Sequence, residues 1–395
     1  MAQDMNEMLG SKPHHPERGS HTARAQSSSL EIARDILLKP LQTVSGIVER
    51  RQTLAILSNV LIEAGNGVLS LTATDLEIQV TATHTGIDPE VTFAVTVSAK
   101  KLVDILRALP DQAVVSLERS DSRLLVRAGR SRFQLQTLPP GDFPRLPAEQ
   151  VPIAGIPMPQ KALLGLLRLT HYAMAQQDIR YYLNGMLFVV EENELKLVAT
   201  DGHRLAMATR ELPVAAPSRS EIILPRKAVL ELNRMLSDDE SPCQVSLLEN
   251  QVRFEVPGIT LVTKVIDGKF PDYNRVVPAN YGRHMEVPRS VLQMALQRAA
   301  ILSNEKYRGV RWILSSGSLR ILCNNTEQEE AEEELEVSYE GEAIDIGFNI
   351  TYILEALASV EQDGVRCSFG DASTSMLITL PGREDFKYVV MPMRI

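Results

Sequence analysis

Aromatic residues make up only 5% of the 395-residue chain, and there are just three cysteines and one tryptophan. With so few aromatics there is no run of rings on which exposed bases could stack. Cys243, Cys323 and Cys367 are odd in number, far apart and without a C-x-x-C pair. This argues against a disulfide framework or a structural zinc and for a reducing, cytoplasmic setting. No apolar run approaches the ~20 residues of a membrane helix, so no membrane partner is expected. The chain also has no P-loop, G-x-G-x-x-G, H-E-x-x-H, G-x-S-x-G or EF-hand spacing. Accordingly no catalytic residue, cofactor or metal is expected.

What the chain does contain is a repeat. Leu69-Ser-Leu-Thr-Ala-Thr-Asp-Leu-Glu77 returns as the run into Ala199-Thr-Asp-Gly-His-Arg-Leu-Ala206, with Asp75 and Asp201 126 positions apart. Another 126 on stands Glu327, in Leu319-Arg-Ile-Leu-Cys-Asn-Asn-Thr-Glu-Gln328. In each case an alternating apolar strand runs into a polar turn. Asp201 and His203 invite a hydrolase reading, but the first copy carries Glu77 in place of the histidine, so the repeated element reads as a turn.

The rest of the chain follows the same period. Amphipathic helices are predicted at 34–48, 160–174 and 289–302, with aliphatics spaced three and four apart. Hairpins follow each, the first turning at Gly65-Asn-Gly67. Second helices are predicted at 99–109, 225–236 and 349–360, and further strands close each unit. Segregated helices and antiparallel strands make an α+β chain of three repeated domains, 30–150, 151–280 and 281–395. Residues 1–29 have no apolar periodicity and read as a disordered extension or leader. Three units that close with a second copy would make a head-to-tail dimer, a pseudo-six-fold ring with helices inside and sheets outside.

Charge fits that picture. The formal net charge is −9, which taken globally counts against a nucleic-acid partner. Yet segment 34–51 and the next four predicted helices each carry +2, and only the last is negative. A common helical surface facing a polyanion is one reading, ordinary solvated lysines and arginines the other. Without base-reading elements such contact would be to phosphate. The run from Glu327 to Glu336 reads as a solvated face.

The motifs together resemble one family. Ala175-Gln-Gln-Asp-Ile-Arg-Tyr-Tyr-Leu-Asn-Gly185, Ala199–Ala206, Lys269-Phe-Pro-Asp-Tyr273, Ile301-Leu-Ser-Asn-Glu-Lys306 and Tyr388-Val-Val-Met-Pro-Met-Arg394 are similar to the β subunits of bacterial DNA polymerase III, the sliding clamps. Departures stand at Ala55, Thr326 and the terminal Ile395, and residues 1–29 lie outside the likeness. The resemblance implies a non-catalytic homodimeric ring that encircles double-stranded DNA without regard to sequence. It implies partners (polymerase subunits, clamp loader, repair proteins) that bind through Gln-Leu-x-Leu-Phe-like peptides. The implied peptide pocket is Leu183, Thr200, Gly202, His203, Leu205, Pro271, Arg275, Val276, Asn349, Tyr352, Val389, Val390, Met391, Pro392, Met393 and Arg394. DNA would be met by Arg51, Lys100, Lys101, Arg107, Gln177, Arg180, Tyr181, Tyr182, Arg226, Lys227 and Arg234. The dimer boundary would pair Phe133 and Leu135 with Ile301 and Leu302. A protein-only scaffold that never meets DNA is the rival reading.

Overall fold

Six helices carry the apolar stripes read above: α1 (Arg34–Val44), α2 (Ala99–Ala108), α3 (Gln160–Thr170), α4 (Arg226–Met235), α5 (Arg289–Ala299) and α6 (Ile350–Ser359). This computed structural model describes residues 29–49, 54–147, 152–213 and 219–394. Ser29, assigned above to the extension, instead opens the strand Ser29–Ala33. α1, α3 and α5 stop short of their predicted ends and tighten into 3-10 turns at Ser45–Ile47, His171–Ala173 and Ala300–Leu302. The apolar periodicity runs on through those turns, which is why the sequence reads each as one longer helix. α3, α4 and α5 are each entered from a strand-ending proline: Pro159, Pro225 and Pro288 hold φ near −60°. Proline presets that φ and needs no N–H at a helix start.

Each unit contributes two four-stranded antiparallel sheets. In unit one the first sheet is Ser29–Ala33, Val114–Ser120, Arg123–Ala128 and Ser131–Leu138, in that order. The second is Phe93–Ser98, Asn59–Gly65, Val68–Thr74 and Ile78–Thr85. The hairpin between Gly65 and Val68 turns on Asn66 and Gly67, at φ +51° and +80°. Two successive positive values are what a tight two-residue hairpin requires.

A rule governs how units join. The last strand of unit one's second sheet, Ile78–Thr85, pairs with Ile259–Lys264, the last strand of unit two's first sheet. Likewise Arg204–Glu211 of unit two pairs with Phe386–Val390 of unit three. The result is a twelve-stranded, an eight-stranded and a four-stranded sheet. The last, Ile344–Asn349, Gly309–Ser315, Ser318–Asn324 and Glu330–Glu336, ends in an open edge at the glutamate-rich strand. On unit one, residues 131–136 face no strand among the described residues on the side away from Arg123–Ala128.

Helices pack within units (α1 on α2, α3 on α4, α5 on α6) and across them, α4 meeting the turn at Ser45–Ile47 and α3 meeting α6. They therefore form one row, α2–α1–α4–α3–α6–α5. One apolar core runs beneath all three units. In unit three it includes Trp312, fully buried, its ring edge-on to Phe348 at 5.6 Å.

Candidate functional site

The turn after Glu194–Thr200 is built by its own side chains. Asp201 Oδ1 accepts the backbone N–H groups of His203 (2.9 Å) and Arg204 (3.0 Å). Thr200 Oγ1 donates to the Arg204 carbonyl at 2.6 Å and accepts from Gly202 N–H at 3.1 Å. Unit one repeats this, Asp75 Oδ1 taking the N–H groups of Glu77 and Ile78 and Thr74 bonding Ile78 and Leu76. In unit three the acceptor is Asn325, whose Oδ1 takes the N–H groups of Glu327 and Glu329. The counterpart of Asp75 in unit three is therefore Asn325 and not Glu327. The side-chain oxygen closes an Asx turn, and asparagine supplies it as well as aspartate does. With its carboxylate occupied by the turn and by Arg204, Asp201 makes no dyad with the exposed His203.

Between this turn, the loop after Gly268 and the chain's last residues lies a two-part cleft. The first chamber, about 380 Å³, is lined by Arg180, Leu183, Thr200, Gly202, Arg204, Leu205, Phe270, Pro271, Tyr273, Arg275, Val276, Ser375, Val389 and Met391. The second, about 630 Å³, shares Arg275, Val276, Ser375 and Met391 and adds Pro278, Tyr281, 372–374, Pro392, Met393 and Arg394. Gly202 has φ +88°, and a Cβ there would lie 3.0 Å from both terminal nitrogens of Arg180. Glycine is thus demanded twice, by its backbone conformation and by the close guanidinium. Strand pairing of Leu205 with Val389 fixes the chamber floor. Beyond the strand, Met391 N–H donates to the His203 carbonyl and Met393 N–H to the Gly347 carbonyl, both at 2.9 Å.

Arg204 anchors the back of the cleft. Its guanidinium donates to Asp201 (3.1 Å), to the Tyr172 carbonyl (2.6 Å) and to Glu355 of α6, and lies 4.3 Å from the Tyr352 ring centre. Burial opposes its charge, but Tyr388, Glu355 and Asp201 outweigh burial and raise its pKa above the usual value. Arg180 is held at the mouth by a fork onto Asp178 at 3.0 and 2.8 Å. Those bonds, with the Arg180 backbone N–H at 2.8 Å, keep the Asp178 carboxyl down at about 2.

Of the pocket residues expected from sequence, Leu183, Thr200, Gly202, Leu205, Pro271, Arg275, Val276, Val389, Met391, Pro392, Met393 and Arg394 line the two chambers. Four do not. His203 contributes its carbonyl, Asn349 caps α6 by accepting Thr351 N–H, Tyr352 supports Arg204, and Val390 is buried in the core. Sequence reasoning missed Arg204, Phe270, Tyr273 and Ser375 of the first chamber and Pro278, Tyr281 and residues 372–374 of the second. The Lys269–Tyr273 landmark carried a signal for Phe270 and Tyr273. Nothing marked Ser375.

The residues expected to meet DNA divide similarly. Lys100, Lys101 and Arg107 are exposed on α2, and Gln177 and Tyr181 on the loop after α3. Tyr182 is half-buried against a small cluster around Leu183. Arg180 belongs to the cleft. Arg226 donates to the Met174 carbonyl at 3.2 Å. Lys227 and Arg234 instead fasten unit two to unit one. Lys227 Nζ reaches Asp75 at 2.5 Å, Glu49 at 2.7 Å and the Ile47 carbonyl at 3.0 Å, and Arg234 reaches the Thr43 carbonyl at 2.8 Å. Arg51 lies outside the described residues. Phe133 and Leu135 sit half-buried on the open strand of unit one, with Ile301 exposed and Leu302 half-buried on unit three.

Among the described residues no cluster of three metal-ligating side chains occurs, and no helix is long and apolar enough to cross a membrane. All three cysteines are buried, free thiols, and burial pushes Cys243 and Cys367 up to about 12.

Comparison with known proteins agrees with this geometry. Family models match in three consecutive pieces: DNA polymerase III beta subunit N-terminal domain at 28–147, central domain at 157–272 and C-terminal domain at 274–394. The chain is 46% identical to the beta sliding clamp of Pseudomonas putida over 365 residues, 92% of this chain and 99% of that one. Identity to the Escherichia coli K12 beta sliding clamp is 46% over 364 residues, with the same coverage. The crystal structure of the Pseudomonas aeruginosa DNA polymerase III beta subunit superposes with a TM-score of 0.89 at 44% identity, covering 93% of this chain and all of that one. A P. aeruginosa clamp bound to griselimycin gives 0.89 at 45%, covering 93% and 99%. By fold, by domain order and by sequence along nearly its whole length, this chain belongs to the DNA polymerase III beta subunit family, the sliding clamps.

Proposed function

We propose that two copies of this chain close head to tail into a ring around duplex DNA, and that the cleft tethers polymerase subunits, the clamp loader and repair proteins through short apolar peptides. The three domains are taken as 30–150, 151–280 and 281–395, and the setting as the cytoplasm. The ring performs no chemistry. It converts a binding partner into one that cannot diffuse away from DNA.

The joining rule carries this reading. Each unit's second sheet is completed by the next unit's first sheet, and among the described residues unit three's second sheet keeps an unpaired edge at Glu330–Glu336. Unit one of another copy offers the missing strand, Ser131–Leu138. Carrying over the register of the first internal boundary sets Arg132 opposite Glu332 and Phe133 opposite Ala331. Both members of the first pair point outward and both members of the second are half-buried, so the pleats agree. The acidic edge would also meet Arg123, Arg127, Arg130 and Arg132, favouring this pairing over two like edges. Such a contact is heterologous, and two copies supply six units.

The cleft suits an extended peptide with two or three large apolar side chains and one amide or acid, because apolar walls meet donors from Arg180, Arg275 and Arg394 at the margin. The helix row, with Lys100, Lys101 and Arg107 exposed, supports contact to phosphate independent of sequence. The test is topological. Protein loaded onto nicked circular DNA should survive a high-salt wash that releases it from the same DNA once linearised. Equal loss from both forms would refute encirclement.

A further inference from the structure

A third chamber lies beyond the cleft, on the other side of the terminal segment. It holds about 340 Å³ and is lined by Asn304, Tyr307, Gly309, Asn324, Met393 and Arg394. Met393 and Arg394 also line the second chamber. Residues 391–394 thus form a ridge with a chamber on each flank, pinned by the bonds to His203 and Gly347. A peptide seated in the cleft and continuing past Met393 would cross the ridge into this space.

The chemistry of the third chamber is weighted toward donors. Asn304 Oδ1 accepts the backbone N–H groups of Lys306 and Tyr307, each at 3.0 Å, so the amide offers the chamber only its Nδ2 donors. The Arg394 side chain is exposed at the rim. The Lys306 ammonium lies 5.1 Å from the centre of the Tyr307 ring, which is 58% exposed. Its lining residues include no carboxylate. Donors and positive charge therefore face an apolar floor of Met393 and Tyr307, and the carboxylate-bearing strand opposite Asn324, at Glu330, stands outside the lining.

We infer that this chamber is a third subsite, and that it reads an acidic side chain flanking the apolar motif of a bound partner peptide. The inference rests on the cleft being the peptide site proposed above. A carboxylate placed there accepts from the Asn304 amide and the Arg394 guanidinium, both charge-assisted contacts. Because the rim is open to water, the gain is modest and screened by salt. Its effect is selectivity among partners that share the same apolar motif.

Fluorescence anisotropy on the full-length protein tests it, with a labelled Gln-Leu-Ser-Leu-Phe peptide as the reference. Two aspartates are added at one end or at the other, with asparagine pairs as controls. One aspartate peptide should bind about threefold to tenfold tighter than its asparagine control at low salt, and the gain should shrink as salt rises. Asn324→Asp, nearly isosteric, sets a like charge in the chamber and should abolish that gain while leaving the reference peptide unaffected. The subsite is refuted if neither aspartate peptide outbinds its control, or if the gain persists in Asn324→Asp. Failure of the reference peptide to bind the wild-type protein at all would instead overturn the cleft, and this subsite with it.

Discussion

The boundary between copies yields the most quantitative expectation. Ile301 sits in the 3-10 turn after α5 with 78% of its surface exposed, so alanine there removes little from the chain's own core. In the ring its side chain would be covered by Phe133 and Leu135 of the neighbouring copy. Full burial of an isoleucine is worth ~1.5–3 kcal/mol, and truncation to alanine forfeits about 1.5–2 kcal/mol of it. The ring contains two such boundaries, so Ile301→Ala acts twice, for about 3–4 kcal/mol of dimerisation free energy. At ~1.4 kcal/mol per decade the dimer dissociation constant should rise about 100-fold to 1,000-fold. Sedimentation over a dilution series from nanomolar to micromolar would measure the shift. Thermal unfolding of the dissociated variant, matched against dissociated wild type, should stay within a degree or two. A dissociation constant that moves less than about fivefold would show that Ile301 faces solvent in the assembly. A large loss of chain stability would show that it belongs to the core. Either result breaks the argument from exposure.

Two further expectations concern the cleft. Deleting residues 391–395 removes the ridge and Met391, and should abolish binding of the reference peptide while leaving dimerisation and retention on circular DNA intact. Undiminished peptide binding would refute the pocket. The second is a pH effect. With its pKa held at about 2 by the fork from Arg180, Asp178 stabilises the native loop fully above its ordinary range near ~4, and the contribution is lost as pH falls from there to about 2. Carboxyl NMR should find the Asp178 midpoint near 2 in the wild type and higher in Arg180→Met, though still below the ordinary value because the residue 180 backbone N–H continues to donate to it. An ordinary midpoint in the wild type would mean the fork does not form in solution.

How much of this was legible depended on how local the signal was. The period of 126 holds strictly between Val68–Thr74 and Glu194–Thr200, because the first two units keep the same loop lengths from their first helix through this hairpin. In unit three the matching strand is Ser318–Asn324, two residues short of the next period. Searching for an acid at the fixed spacing therefore lands on Glu327, whereas the turn needs only a side-chain oxygen and takes Asn325. Alternation along the last strand was equally legible and would have separated Val389, which lines the cleft, from Val390, which is buried. Arg204 was out of reach for a different reason. Its partners come from residues 172, 201, 352 and 355, and only the folded boundary brings them together. The same holds for Lys227 and Arg234. A helical lysine or arginine looks alike in sequence whether it faces a polyanion or a neighbouring domain.

The joining rule has a kinetic consequence. Units one and two, and units two and three, are linked by the chain as well as by strand pairing, so a break at either heals by local motion. The contact between copies has no covalent tether and occurs twice. Losing one of the two leaves a hinged C-shaped particle whose ends remain near each other at a high effective concentration. Opening wide enough to admit DNA is then a first-order event, independent of how much protein is present. Full separation requires both contacts to fail at once, and only re-pairing of separated copies slows on dilution. Ring opening should therefore be much faster than subunit exchange, which needs the second contact to fail before the first re-forms, and a long-lived dimer is no obstacle to a ring that opens often.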